Sequence, residues 1–208
     1  MVNGAVQKAE ENGRNTSNDR ALAAAIVEAL GARSIVLIGM MGAGKSSIGR
    51  RLGTRLGLSF VDADTEIENA AGMTIAEIFA QHGEDYFRAG EARVIERLLA
   101  SGPQVLATGG GAVMNQHTRD LIHIKSISVW LKADLEVLIK RTKRRNDRPL
   151  ADRIKELLPI REPVYAQADI VVQSRDEAHE VIVDEIIAAM ARHLGVDANL
   201  DVKPETSS

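Results

Sequence analysis

The chain has 208 residues, 45% of them hydrophobic and 26% charged, and carries a formal net charge of −3. That balance suits one globular domain of ordinary size and argues against a nucleic-acid-binding protein, despite the basic run Lys140-Arg-Thr-Lys-Arg-Arg-Asn-Asp-Arg148. The absence of cysteine excludes disulfides, thiolate zinc sites and a cysteine nucleophile, and it fits a reducing compartment. No apolar run approaches the roughly 20 residues of a membrane span, and the polar N-terminus shows no signal-peptide pattern, so the expected location is cytoplasmic.

Residues 1–32 read as an N-terminal extension, polar to about residue 17 and expected to be disordered there. A short Ala-rich helix from Arg20 to Leu30 follows, capped by Ser17 or Asn18 and closed by Gly31. Ser34-Ile-Val-Leu-Ile38 is a β-branched apolar run of the kind buried on both faces of a sheet. Ile48, Leu52 and Leu56 recur at helical spacing up to Gly57, and Leu58 to Val61 predicts a second strand. Thr74 and Glu77 form a capping box for the next helix, and a longer one runs from about Glu84 to Ala100. Strands are predicted at Gln104–Thr108, Ser126–Leu131 and Asp169–Gln173. Asp134 caps a helix carrying Leu135, Leu138 and Ile139, and the last helix spans Asp176 to Leu194, leaving a flexible tail at 196–208. Alternation of apolar strands with helices predicts an α/β fold: one domain over 33–195, with a five-stranded parallel sheet flanked by helices on both faces. The five histidines are scattered, none spaced from a partner as metal ligands would be.

Gly39-Met-Met-Gly42-Ala43-Gly44-Lys45-Ser46 matches G-x-x-x-x-G-K-[ST] between an apolar strand and an amphipathic helix. Glycines let successive N–H groups turn inward around phosphate oxygens, and the helix adds the positive end of its dipole. In such a P-loop Lys45 supplies a cation to the β- and γ-phosphates, and the Ser46 hydroxyl ligates Mg²⁺. The chain lacks the N-K-x-D of a guanine-specific GTPase and the strand-terminal Asp-Glu of motor ATPases. The acidic pair after an apolar strand is Asp62-Ala-Asp64, whose side chains would face the same way if the strand continued. In small-molecule kinases of this class strand two lies beside the P-loop, with one carboxylate near Mg²⁺ and the other facing the acceptor. An Asx turn at an exposed strand end is the alternative for this pair.

Six segments, in order, resemble those of the shikimate kinase family: the P-loop, Asp62-x-Asp64, Phe87-Arg88 with Glu91, Thr108-Gly-Gly-Gly111, Arg148-Pro-Leu150 and Arg161-Glu-Pro-Val-Tyr165. The resemblance implies a P-loop fold with a mobile lid at about 143–155. The implied activity is transfer of the ATP γ-phosphoryl group to the 3-hydroxyl of shikimate, in aromatic amino-acid biosynthesis, by a Mg²⁺-dependent monomer. It further implies that Gly42, Ala43, Gly44, Lys45, Ser46 and Ser47 hold the phosphates. Arg141 would stack on adenine, bordered by the loop from Ser174 to Glu177, and Arg148 would close over the phosphates as a catalytic group. Arg88 and Arg161 would hold the acceptor carboxylate, with the backbone of Gly109, Gly110 and Gly111 close by. Asp64 would bind the ring hydroxyls and act as base, and Asp62 would join Ser46 in the Mg²⁺ shell through a water, since Mg²⁺ gives up its waters reluctantly. Arg88 is also spaced to pair with Glu84 or Glu91 along its own helix. Departures from the family pattern are Ser47 after Ser46, Ala151-Asp152 after Leu150, and the N-terminal extension. The rival enzyme is another small P-loop kinase, acting on gluconate or a nucleoside monophosphate, and a non-catalytic nucleotide-binding module is the rival from another class.

Overall fold

A computed structural model of the protein describes residues 18–142 and 153–196. Helix α1 covers 18–30, followed by β1 (Ser34–Ile38), α2 (Lys45–Leu56), β2 (Phe60–Asp62), α3 (Ala63–Ala71) and α4 (Ile75–Leu99). Next come β3 (Val105–Ala107), a 3-10 turn at Ala112–Met114, α5 (Gln116–Lys125), β4 (Ser126–Lys132) and α6 (Leu135–Thr142). The described chain ends with α7 (Ile154–Tyr165), β5 (Ile170–Gln173) and α8 (His179–Leu194).

The five strands are parallel, in the order β2-β3-β1-β4-β5. From β1 the chain runs outward to β2, then returns through β3 and crosses to β4 and β5. With right-handed crossovers, this reversal puts the connecting helices on opposite faces. The packing agrees: α2 lies against α8, while α4 lies against α5. The reversal also opens a crevice at the carboxyl ends of β1 and β3, where α/β sheets bind ligands.

Ile35, Val36 and Leu37 of β1 and Val105 and Leu106 of β3 are fully buried, as continuous apolar strands require. The capping box at Thr74 is present, with both reciprocal hydrogen bonds made. Gly83, at φ 82° and ψ 174°, interrupts α4 where the sequence reading separates two helices. No described helix is long and apolar enough to cross a membrane.

Helices α3, α5 and α7 are not among the predicted elements, and three further features differ from expectation. The second strand is Phe60–Asp62 rather than Leu58–Val61, and β3 separates it from β1. Asp64 does not continue a strand: Asp62 caps α3, accepting a hydrogen bond from the Asp64 N–H, so Asp64 sits in the first helical turn. Helix α1 buries Ala23, Ile26 and Leu30 in the main core, and Asp19 reaches Arg55 of α2 at 3.7 Å. Residues 18–30 are thus part of the same packed body.

Candidate active site

The loop between β1 and α2 takes the conformation its glycines permit. Gly42 and Gly44 have φ of 84° and 93°, a region in which side chains are strained, and Gly44 caps α2. Lys45 is buried; its ammonium donates to the carbonyls of Gly39 at 2.8 Å and Met40 at 3.0 Å, which holds the charge beneath the loop. Ser46 Oγ donates to Asp62 Oδ2 at 2.5 Å, linking the N-terminus of α2 to the end of β2 across the tip of β3.

Beside this loop lies a cavity of about 380 Å³, whose walls include Gly44, Lys45, Ser47, Arg141 and His179. Arg141 is fixed there by Ser174 Oγ at 3.0 Å, the Arg175 carbonyl at 2.6 Å and the Gly42 carbonyl at 3.4 Å. Ser174 in turn donates to the Ala43 carbonyl at 2.8 Å, so the loop after β5 is tied to the P-loop.

A second cavity, of about 570 Å³, is walled by Arg88, Glu91, Gly109, Gly110, Gly111 and Arg161. Ser46, Asp62 and Asp64 line both cavities, so the two meet at these side chains. Phe87 is buried and tethers the Arg88 turn to a small cluster with Ile67 and Ile78.

The second cavity is a built ionic site. Arg88 pairs with Glu91 at 2.6 Å and Glu84 at 3.1 Å, so the helical pairing open in the sequence is realised while the guanidinium still faces the cavity. Burial opposes the Arg88 charge, but Glu91 and then Glu84 outweigh it and raise its pKa. Glu91 is 2% exposed, and burial raises its pKa against the opposing pull of Arg88. Among the described residues, Glu91 Oε1 is the buried side-chain polar atom with no hydrogen-bond partner.

A side chain at Gly109 or Gly111 would displace the ionic groups packed against them. A Cβ on Gly109 would lie 2.5 Å from Glu91 Oε1 and 3.0 Å from Asp64 Oδ1. One on Gly111 would lie 2.5 to 2.7 Å from three atoms of the Arg88 guanidinium. Neither glycine has positive φ, so close approach rather than backbone strain disfavours a side chain here.

The structure therefore gathers Gly42, Gly44, Lys45, Ser46, Ser47, Asp62, Asp64 and Arg141 around one cavity, and Asp64, Arg88, Gly109, Gly110, Gly111 and Arg161 around the next. Ala43 is buried behind the P-loop. Arg148, and the lid apart from 153–155, lie outside the described residues. His179 carries no signal in the sequence, where a lone histidine after a loop has no spaced partner. Its pKa is lowered by burial first and then by Arg51 and Arg141, which favours the neutral ring.

The shikimate kinase family model matches residues 41–191. The chain belongs to the shikimate kinase family. Shikimate kinases of Rhodopseudomonas palustris and Bradyrhizobium diazoefficiens are 60% and 59% identical to it, over 82% and 81% of this chain and 87% and 84% of theirs. The solved shikimate kinase from Acinetobacter baumannii in complex with shikimate superposes with a TM-score of 0.75 at 35% identity, covering 77% of this chain and 94% of that one. A gluconokinase from Sinorhizobium meliloti, at 22% identity and a TM-score of 0.54, shares the fold.

Proposed function

We propose that the protein transfers the γ-phosphoryl group of ATP to the 3-hydroxyl of shikimate, giving shikimate 3-phosphate and ADP. The observation that carries this reading is the meeting of two cavities at Ser46, Asp62 and Asp64, one walled by a P-loop and the other by two arginines and a glycine run. Membership of the shikimate kinase family gives it independent support.

The P-loop N–H groups and Lys45 receive the phosphates, and Arg141 offers its guanidinium plane to the adenine. Arg88 and Arg161 hold the shikimate carboxylate, since a guanidinium fork matches two carboxylate oxygens. The glycine run brings backbone against the same ligand, and Asp64 orients the ring hydroxyls. The 3-hydroxyl oxygen attacks phosphorus in line as the bond to the ADP oxygen breaks, and Asp64 accepts the hydroxyl proton. Phosphoryl transfer passes through a loose transition state, so positioning and charge stabilisation outweigh base strength. Arg148 would supply further charge from a lid over about 143–155, which would also exclude water.

Mg²⁺ suits the convergence of a hydroxyl and a carboxylate at Ser46 and Asp62, both hard oxygen donors. It would neutralise charge on the β- and γ-phosphates. No cluster of three or more His, Cys, Asp or Glu suited to a metal exists among the described residues, which fits an ion completed by phosphates and water. The enzyme is proposed to be cytoplasmic, in keeping with its lack of cysteine, and to work as a monomer, as the family resemblance implies. ADP release in the presence of ATP and Mg²⁺, with shikimate as acceptor, tests the reading; no turnover would refute it.

A further inference from the structure

Arg161 and Tyr165 stand one turn apart on α7, and both are buried beneath the glycine run. The Tyr165 hydroxyl donates a short hydrogen bond to the Gly110 carbonyl and lies 3.5 Å from Met40 Sδ, inside the P-loop. Its ring is fully buried and packs against Trp130 with centroids 5.9 Å apart. Gly110 itself is pressed between the acceptor cavity and the P-loop: a Cβ there would lie 3.3 Å from the Met41 nitrogen and 3.4 Å from Arg161 Nη1.

The peptide joining Gly110 to Gly111 is planar and trans, so its carbonyl and its N–H point in opposite directions. A hydroxyl that draws the Gly110 carbonyl toward the core therefore turns the Gly111 N–H away from the core. The acceptor cavity is lined by both Gly111 and Arg88, whose guanidinium occupies the space where a Gly111 Cβ would stand. Glycine offers no side chain to set this orientation, and its backbone has more freedom than any other. The carbonyls of Gly109 and Gly111 accept from Ala112 N–H and Met114 N–H within the loop, whereas the Gly110 carbonyl is held from α7 by Tyr165.

We propose that Tyr165 is a positioning residue for the acceptor: by holding the Gly110 carbonyl it aims the Gly111 N–H at the acceptor carboxylate beside Arg88. This rests on the reading of the second cavity as the shikimate pocket. It assigns Tyr165 no contact with either substrate; the phenol acts through one peptide group. Burial pushes the phenol pKa up to about 12, so it remains a proton donor throughout the working range.

Tyr165→Phe removes the hydroxyl and keeps the ring. Kinetics with ATP and Mg²⁺ are measured for wild type and variant, with shikimate and with its methyl ester as acceptors. The variant's KM for shikimate should rise about tenfold, the scale of one hydrogen bond to a charged group, while KM for ATP stays within about twofold. The wild-type preference for the acid over the ester should also shrink. A variant with unchanged acceptor KM and unchanged ester preference, or with both KM values rising together, overturns the proposal. Failure of the wild type to phosphorylate shikimate would instead sink the functional reading beneath it. If Tyr165→Phe does not fold, a Tyr86→Phe protein labelled with 3-fluorotyrosine reports on Tyr165 alone, since the chain has two tyrosines. Its ¹⁹F resonance should move more with shikimate than with ADP; an equal shift, or none, overturns the proposal.

Discussion

Ser46 Oγ and Asp62 Oδ2 lie 2.5 Å apart, although one residue lies in the first turn of the helix after β1 and the other ends an edge strand two positions away in the sheet. Asp62 spends its other oxygen, Oδ1, on the N–H of Asp64 at 3.1 Å. One carboxylate thus faces the P-loop hydroxyl and orders the turn that carries Asp64 into the acceptor cavity.

Asp62→Asn should therefore affect metal use before it affects either substrate. Replacing the carboxylate keeps an oxygen for capping α3 but removes the charge that faces Ser46. The Mg²⁺ concentration for half-maximal rate should rise by about 10- to 100-fold, the usual cost of an outer-sphere partner. KM for shikimate should change little. Titration of the initial rate with Mg²⁺ at saturating ATP checks this, and an unaltered Mg²⁺ dependence would remove Asp62 from the metal site.

Lys45 and Arg88 should divide their effects between donor and acceptor. Lys45→Ala removes the cation beneath the phosphate loop, and kcat should fall by about 10²- to 10³-fold, as for other preorganised charge donors. Arg88→Ala should raise KM for shikimate by roughly 10- to 100-fold through loss of a charge-assisted pair. ATP binding, followed by ADP displacement, should be nearly unchanged in Arg88→Ala. Unchanged acceptor binding in that variant would mean that the acid pocket lies elsewhere.

Glu91 gives a pH dependence whose sign follows from its burial. Burial raises its folded-state pKa above the ordinary 4.5, with Arg88 opposing. The native protein then holds the Glu91 proton more tightly than the unfolded chain does. The stabilising contribution is full below the unfolded pKa and is lost as pH rises through the raised one. Wild type should consequently lose stability relative to Glu91→Gln as pH is taken upward from about 4.5, as read by urea midpoints. Parallel stability profiles for the two proteins would show that Glu91 does not titrate in this way.

Much of the donor site is legible in the sequence because it is local. Strand, glycine turn, Lys45, Ser46 and helix are consecutive, so one motif specifies chain path and chemistry together. Thr74 and Glu77 are readable for the same reason. Asp64 is harder: period-two alternation assumes that the strand persists, but Asp62 accepts from the Asp64 N–H and starts α3. Helix α7 escapes notice because Pro159 and Pro163 lie within it, residues usually read as breaks. The burial of Glu91 is tertiary. Its spacing from Arg88 shows a possible pair, but only the folded chain shows that Gly109 leaves Glu91 Oε1 the room it occupies. Tyr165 closes a segment legible in the sequence, but its hydrogen bond is not, since its partner Gly110 comes from a distant segment.

The central claim is that the cavity bearing Arg88 and Arg161 selects a carboxylate-bearing ring polyol, beside a P-loop that holds ATP. ADP release measured in parallel with shikimate, gluconate and AMP, at saturating ATP and Mg²⁺, tests it most directly. Sustained turnover is expected with shikimate, and background rates with the other two. Turnover with gluconate or AMP, and none with shikimate, would contradict it.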